Sequence, residues 1–320
     1  MKLSVLTVPF WNQPLSEVLP YLRAIGVDSV ELGTGGYTNK AHCDPDYYLQ
    51  DPGRVKDLKK LMADHGMSIS ALSCHGNPVH PDAAHAAADH KAYLDTLHLA
   101  NLLEVDTVVT FSGCPGGSRE DRTPNWITCP WPDDFARAMD YQWNEVLIPY
   151  WRDAGRLAQE AGCRVAIEMH PGFCVHNPEA MLRLREAAGP AVGANFDPSH
   201  LFWQGVDPVA AIRALSGCIY HVHAKDTRID LLNTGRTGVL DTKNYGDIRN
   251  RSWVFRTVGF GHGASVWRDI ISELRLAGYD RAISIEHEDG LMSTTEGLEK
   301  AVEFLKPILI DGSDAAVWWE

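Results

Sequence analysis

The sequence predicts an α/β chain folded as a single parallel (β/α)8 barrel. Three observations carry this. Eight short apolar runs, rich in β-branched residues, alternate with longer segments of helical spacing. The runs mostly lack polar alternation, as strands covered on both faces should. Spread over 320 residues, the repeats take about 40 residues each, a length that suits right-handed βαβ units closing into a barrel. A doubly wound sheet is the rival architecture, but it usually needs fewer strands in this length. No Ser/Gly linker, composition shift or charge block marks a boundary, so residues 1–320 read as one domain.

The elements follow in order. The first run is Leu3–Val8. A helix over Leu15–Ile25 follows, with Leu15, Val18, Leu19, Leu22 and Ile25 at spacings of three and four. The second run is Ser29–Gly33. The helix Arg54–His65 then stops at Gly66, a C-cap signal. Ser68–Ser73 leads into the helix Ala83–Leu103, and Thr107–Phe111 into a long helix over Asp134–Ala161 that ends at Gly162. Arg164–Met169 and Val192–Phe196 are the fifth and sixth runs. Their helices, Pro178–Ala188 and Pro208–Ser216, start on prolines, which suit a first turn. Ile219–Ala224 precedes the helix Val266–Ala277, and Ala282–Glu286 precedes Thr295–Leu309. Two connections are long, about 112–133 after the fourth run and 226–263 after the seventh. Both leave the carboxyl ends of strands, where barrel sites are built. Trp126 and Trp131 in the first would be costly to leave exposed.

Composition narrows the function. Lys+Arg is 29 and Asp+Glu is 42, for a net charge of −13. Such a surface repels phosphodiester backbones, so no nucleic-acid partner is expected. Seven scattered cysteines without a C-x-x-C pair read as reduced thiols. The segment Met1–Phe10 is too short and too soon polar for a signal peptide, and no apolar run approaches the ~20 residues of a membrane span. A cytoplasmic protein with no membrane contact is the expectation.

Polar residues cluster late in the apolar runs. Val165-Ala-Ile-Glu168-Met-His170 brings a carboxylate to the end of the fifth strand. Asp197 and His200 follow the sixth, His221 and His223 lie on the seventh with Lys225 and Asp226 beyond, and Glu286 closes the eighth. A glutamate after Val-Ala-Ile or Ile-Ser-Ile is expensive to bury unless something pairs with it. Glu168, Asp197, His223 and Glu286 together at one barrel rim form an oxygen-rich set suited to one divalent cation, Mn²⁺ first, with Mg²⁺ or Co²⁺ as alternatives. His221 shares the side-chain parity of His223, so it is either a site residue or a hydrogen-bonded core histidine.

Glu at the fifth strand, Asp-x-x-His at the sixth, His-x-Lys-Asp at the seventh and Glu at the eighth resemble the xylose isomerase-like sugar phosphate isomerase/epimerase superfamily. The stretches Asn195–Gly205 and Gly278–Asp289 are especially similar to it, and the resemblance runs from the Val30-Glu-Leu-Gly33 turn to the last helix. It implies that Glu168, Asp197, His223 and Glu286 bind the metal and that His200 touches a substrate oxygen. It further implies an isomerase or epimerase in which Glu168 and Glu286 move a proton next to a carbonyl through an enediolate. The alternative is a lyase in which the same carbanion expels a β leaving group from a keto-glycoside. A non-catalytic metal- or sugar-binding barrel is a third reading.

Other residues are expected to line the pocket. His75 and Asn77 follow the third strand and suit a sugar hydroxyl. Lys225 suits an enolate or an acidic group, and His170 and Trp203 complete the substrate-binding set. Gly113-x-x-Gly116-Gly117 introduces no clear helix N-terminus and lacks the Gly-Lys-Ser/Thr of a phosphate loop. The related apurinic-site endonucleases use extra histidines for three zinc ions. Here the fourth strand ends Thr110-Phe111-Ser112 with no His, and Gly259-Phe-Gly-His262 lacks an Asp two residues before its His. The expected partner is a small sugar, keto sugar or glycoside. A second copy of the chain is expected beside it, with a small second subunit as a further option.

Overall fold

Eight parallel strands close on themselves in chain order, the last hydrogen-bonded to the first. They are β1 (Lys2–Leu6), β2 (Ser29–Gly33), β3 (Ser68–Ser73), β4 (Thr107–Phe111), β5 (Arg164–Glu168), β6 (Val192–Phe196), β7 (Ile219–Ala224) and β10 (Ala282–Ile285). Two further strands, β8 (Asp226–Ile229) and β9 (Trp253–Arg256), pair antiparallel outside the barrel. The computed structural model describes residues 1–312; residues 313–320 of the expected 1–320 domain lie outside the described residues.

The eight expected runs are the eight barrel strands. β2, β6 and β7 are buried along their whole length, which is why their sequences show no polar alternation. Closure joins β1 to β10, with Val5 opposite Ile285. Register shifts occur between Val30 and Glu31 and between Ala194 and Asn195. Such irregularities re-aim a side chain, and both adjoin a buried polar residue of the barrel interior.

The expected helix Asp134–Ala161 is present with a change of pitch. It runs Asp133–Asp140, widens into a π turn over Tyr141–Leu147 and continues as Ile148–Glu160. This helix anchors the long segment after β4. Trp151, fully buried, donates its indole N–H to the Ser112 carbonyl at 2.8 Å. Gln142 donates to the Asn125 carbonyl at 2.6 Å and to the Pro115 carbonyl at 3.2 Å. Trp126 packs against the core, but Trp131 is 74% exposed, contrary to expectation. Gly117 N–H is taken by Asp121 Oδ2 at 2.6 Å, so this glycine loop is closed by its own acid.

The second long connection is only partly loop: it holds the β8–β9 hairpin with the helix Leu231–Thr237 inside it, and irregular backbone over 238–252 and 257–263. The Val254-Phe-Arg run was too short and too mixed to stand out as a strand. All seven cysteines are free. Among the described residues no helix is long and apolar enough to cross a membrane.

Candidate active site

β5 ends on Glu168, which is buried with Oε2 2.9 Å from His75 Nε2 and Oε1 3.1 Å from His200 Nε2. Asn195, its register partner on β6, donates to the same carboxylate at 3.2 Å. Asp197 follows β6 as N-cap of the short helix Pro198–Phe202, its Oδ1 accepting the Ser199 N–H at 2.8 Å. That cap turns Oδ2 inward, where it is buried with no hydrogen-bond partner. His223 lies near the end of β7. Its Nδ1 stands 3.2 Å from Glu168 Oε2 and 3.1 Å from Glu286 Oε2. Glu286 follows β10, its N–H donating to the Ala224 carbonyl.

One ligand atom from each of Glu168, Asp197, His223 and Glu286 lies within 4.8 Å of the others. Around one divalent ion with bonds of ~2.0–2.2 Å, ligand atoms stand at most about 4.4 Å apart. The donor set therefore suits such an ion, and Asp197 Oδ2, which has no hydrogen bond and is approached by the Lys225 ammonium and the His200 imidazole, is free to serve as an oxygen donor.

Lys225 balances the acids. Its buried ammonium is 2.7 Å from Glu286 Oε2, 3.1 Å from Glu288 Oε2 and 3.2 Å from Asp197 Oδ2. Burial pushes the Asp197 carboxyl up to about 7, against the pull of Lys225. Burial also opposes ionisation of Glu286, but Lys225 and His223 bring it down to about 2. Glu168 is held well below the usual carboxylate range because hydrogen bonds from His200, His223 and His75 overcome its burial. Burial drives His200 down to about 3. His223 is likewise disfavoured as a cation by burial, yet Glu31 and Glu286 lift it well above the usual imidazole range.

Sequence reasoning missed Glu31. This fully buried carboxylate accepts from His221 Nε2 at 2.8 Å, from His223 Nε2 at 3.0 and 3.1 Å and from Ser284 Oγ at 2.6 Å, with Ser73 Oγ in contact as well. It holds the Nε2 proton of His223 and so turns Nδ1 toward the carboxylates, leaving that nitrogen to exchange its proton for a cation, an outer partner of the kind that orients metal-binding imidazoles. The signal was present, since Ser29-Val-Glu-Leu-Gly33 places a glutamate inside an apolar run. His221 serves Glu31 rather than the carboxylate cluster.

The remaining expected residues divide. His75, His200 and Lys225 touch the cluster. His170 packs against His200 with the rings tilted by 53° and their centroids 4.1 Å apart. Asn77 does not reach it: its amide donates to the Cys114 carbonyl at 2.9 Å and accepts the Cys114 N–H at 3.0 Å, tying the β3 and β4 loops together. Trp203 is buried with one face covered by Trp253 at 4.5 Å. His262, the histidine of the incomplete endonuclease-like segment, pairs with Asp226 at 2.7 Å.

The model of a family described as xylose isomerase-like TIM barrel matches residues 19–308. The uncharacterized protein YfiH of Bacillus subtilis (strain 168) is 38% identical over 310 residues, 96% of this chain and 98% of YfiH. The rhizopine catabolism protein MocC of Rhizobium meliloti is 40% identical over 232 residues, 72% of this chain and 62% of MocC. Inosose dehydratase of Geobacillus thermodenitrificans (strain NG80-2) is 24% identical over 258 residues, covering 80% and 81%. Among solved structures, AsbF from Bacillus anthracis, described as a probable 3-DHS dehydratase, aligns with TM-score 0.66 at 19% identity over 96% of this chain and 99% of AsbF. IolI with a bound zinc atom aligns at 0.66 and 17%, covering 97% and 98%. A D-tagatose 3-epimerase-like protein aligns at 0.61 and 16%, covering 96% and 98%. At these identities the structures speak for the fold. The chain belongs to the xylose isomerase-like TIM barrel family.

Proposed function

We propose that this chain is a divalent-metal-dependent enzyme that removes a proton from the carbon beside the carbonyl of a polyhydroxylated ketone, a keto sugar or ketocyclitol. The observation that supports it most is the convergence of Glu168, Asp197, His223 and Glu286, with Asp197 Oδ2 buried among them without a hydrogen bond. These four residues would hold the ion. Three oxygens and one nitrogen favour Mn²⁺, with Mg²⁺ or Co²⁺ next, and the zinc of IolI puts Zn²⁺ in the test panel. When bound, the ion supplies Lewis-acid polarisation of a substrate carbonyl.

The chain's own residues do the rest. Glu168 accepts the proton, positioned by His75 and His200. His200 and His170 line the approach and hold the substrate's oxygens. Proton return by Glu286 at the other face or at the adjacent carbon gives an epimer or isomer. Loss of a group on the next carbon gives an elimination.

The unequal surroundings of the two glutamates favour elimination. An epimerase needs two comparable proton carriers, whereas Glu286 is clamped by Lys225 at 2.7 Å and Glu168 is held by imidazoles. A lyase needs one base and one donor for the departing oxygen, and His75 beside Glu168 suits the second task. The relatives named inosose dehydratase accord with this outcome.

The test is exchange of the α-proton with D₂O, followed by NMR on Mn²⁺-loaded protein given keto sugars and inososes. Product analysis then separates epimer from alkene. Glu168→Gln and Glu286→Gln should each lose ~10²–10⁴-fold in exchange if each carboxylate acts as a base. An Asp197→Asn variant that kept full metal affinity and exchange would remove the metal site from the argument.

A further inference from the structure

Cys114 and Cys174 come from different loops and meet beside the barrel rim. Cys114 lies three residues beyond β4, and Cys174 six residues beyond Glu168 at the end of β5. The two loops run side by side: Cys174 N–H donates to the Gly113 carbonyl at 3.1 Å, and Val175 N–H donates to Ser112 Oγ at 3.0 Å. Segments bonded in this way bring paired Cα atoms to about 4.5–5.5 Å, inside the ~4.4–6.8 Å that a disulfide spans. The side chains turn toward each other, and the Cys174 thiol donates a hydrogen bond to the Cys114 sulfur. The other cysteines are placed differently. Cys163 and Cys218 direct their thiols at backbone carbonyls. Burial pushes the Cys43 and Cys74 thiols up to about 12, and Cys129 is exposed.

The pair lies within reach of a small solute. Cys174 forms part of the wall of a cavity of about 310 Å³ between the segment after β4 and the helix Pro178–Ala188, with Trp126, Gln142, Trp143 and Arg183 around it. The Arg183 guanidinium stacks 4.2 Å from the Trp143 ring centroid and favours an anion at Cys174. The hydrogen bond from Cys174 lowers the Cys114 thiol against the effect of burial, so Cys114 is the more acidic of the two. Thiolates are the form that oxidants attack.

Both cysteines are tied to the candidate active site. Asn77 grips the Cys114 backbone at 2.9 and 3.0 Å, two residues from His75, which bonds Glu168. Cys174 precedes Val175, whose carbonyl accepts the His170 N–H at 3.2 Å. Drawing the sulfurs from hydrogen-bond contact to the ~2.05 Å of a disulfide pulls on both anchors. A displacement of about 1 Å near a reacting centre can cost on the order of 100-fold in rate.

We propose that Cys114 and Cys174 are a peroxide-responsive thiol pair, and that the disulfide they form slows the enzyme by shifting His75 and His170. The effect on turnover rests on reading the carboxylate cluster as the centre that removes an α-proton; the disulfide itself does not. Cys174 Sγ, at the cavity, attacks one oxygen of hydrogen peroxide as its proton passes to the Cys114 thiolate along their hydrogen bond. The O–O bond breaks, hydroxide leaves, and Cys174 becomes a sulfenic acid. The Cys114 sulfur then attacks the Cys174 sulfur. An S–S bond forms, the S–O bond breaks, and the hydroxyl departs as water with the Cys114 proton. Two electrons pass from the sulfurs to the peroxide, and the hydroxide takes a proton from solvent. A dithiol reverses the step by thiol–disulfide exchange.

The experiment uses the full chain carrying Cys129→Ser, which removes the exposed thiol. It is treated with hydrogen peroxide and digested without reductant, and the peptides are mapped by mass spectrometry. Mn²⁺ affinity and α-proton exchange in D₂O are measured before treatment, after it, and after dithiothreitol. The expected result is a Cys114–Cys174 cross-link with at least a tenfold loss of exchange, both reversed by dithiothreitol. Adding Cys174→Ser or Cys114→Ser, with melting temperature certifying the fold, should abolish the cross-link and leave exchange insensitive to peroxide. No cross-link, or sulfinic acid at Cys174 in its place, overturns the proposal. So does a cross-link that leaves exchange and Mn²⁺ affinity unchanged, or a loss of exchange that persists in Cys174→Ser. If the reduced protein exchanges no α-proton, the proton-abstraction reading fails instead. The pair is then decided by the cross-link together with a dithiothreitol-reversible change in Mn²⁺ affinity, whose absence overturns it.

Discussion

Replacing Glu31 by Gln tests how the barrel interior sets the state of His223. Glu31 accepts both imidazole N–H groups, at 2.8 Å from His221 and 3.0 Å from His223. A glutamine offers one oxygen and one N–H donor. Wherever that donor faces His223, Nε2 must become an acceptor. The imidazole proton then moves to Nδ1, between Glu168 Oε2 at 3.2 Å and Glu286 Oε2 at 3.1 Å, and the lone pair needed by a cation is lost. Loss of such an outer partner typically lowers metal affinity 10–100-fold, or ~1.4–2.7 kcal/mol. The assay is competitive Mn²⁺ and Zn²⁺ titration, paired with ¹⁵N spectra of the histidine rings carried upward in pH until metal-free His223 has lost one of its two protons. The spectra read tautomer directly, so a merely structural loss is separable. Glu31→Asp, which retains the charge, should recover part of the affinity. Wild-type affinity and an unchanged His223 tautomer in Glu31→Gln would refute the reasoning.

Three further outcomes are expected. Metal uptake should release protons, because metal-free Asp197 titrates near 7 and His223 above the usual imidazole range, and both must lose their protons to coordinate. Affinity therefore falls as pH drops below 7, by about one to two protons' worth, and calorimetry in buffers of different ionisation enthalpy that found no proton release would contradict this. Lys225→Met leaves Asp197, Glu286 and Glu288 without their shared cation. The metal-free protein should lose ~3–5 kcal/mol and gain a larger melting-temperature rise on Mn²⁺ addition than the native chain, whereas an equal rise would show that the ammonium does not compete with the metal. Trp151→Ala empties a fully buried site and frees the Ser112 carbonyl; chemical denaturation should report ~3–5 kcal/mol, and a loss under 1 kcal/mol would mean that the anchor of the β4 segment lies elsewhere.

The barrel was legible because its signals are local. Fully buried parallel strands read as continuous apolar runs, and the structure puts a strand at each of the eight. The carboxylates were legible for the same reason: Glu168 and Glu286 follow Val-Ala-Ile and Ile-Ser-Ile, where a charge without a partner is too costly to keep. Since every strand of a parallel barrel points the same way, residues at the strand ends must meet at one rim. Chain order alone thus implied the convergence of Glu168, Asp197, His223 and Glu286.

What tertiary structure alone decided is who partners whom across long separations. Asn77 carries the same turn chemistry whether it faces a ligand or, as here, holds Cys114. The hairpin of β8 and β9 depends on pairing segments whose own strand signal is weak, so its sequence read as a loop. Lys225 had to be placed against three acids before its role as their counter-ion was visible. Glu31 and His221 are 190 residues apart in the chain and 2.8 Å apart in the barrel. A buried glutamate announces that it needs a partner, but only the closed barrel, which brings β2, β7 and β10 around one interior, determines that the partners are His221, His223 and Ser284.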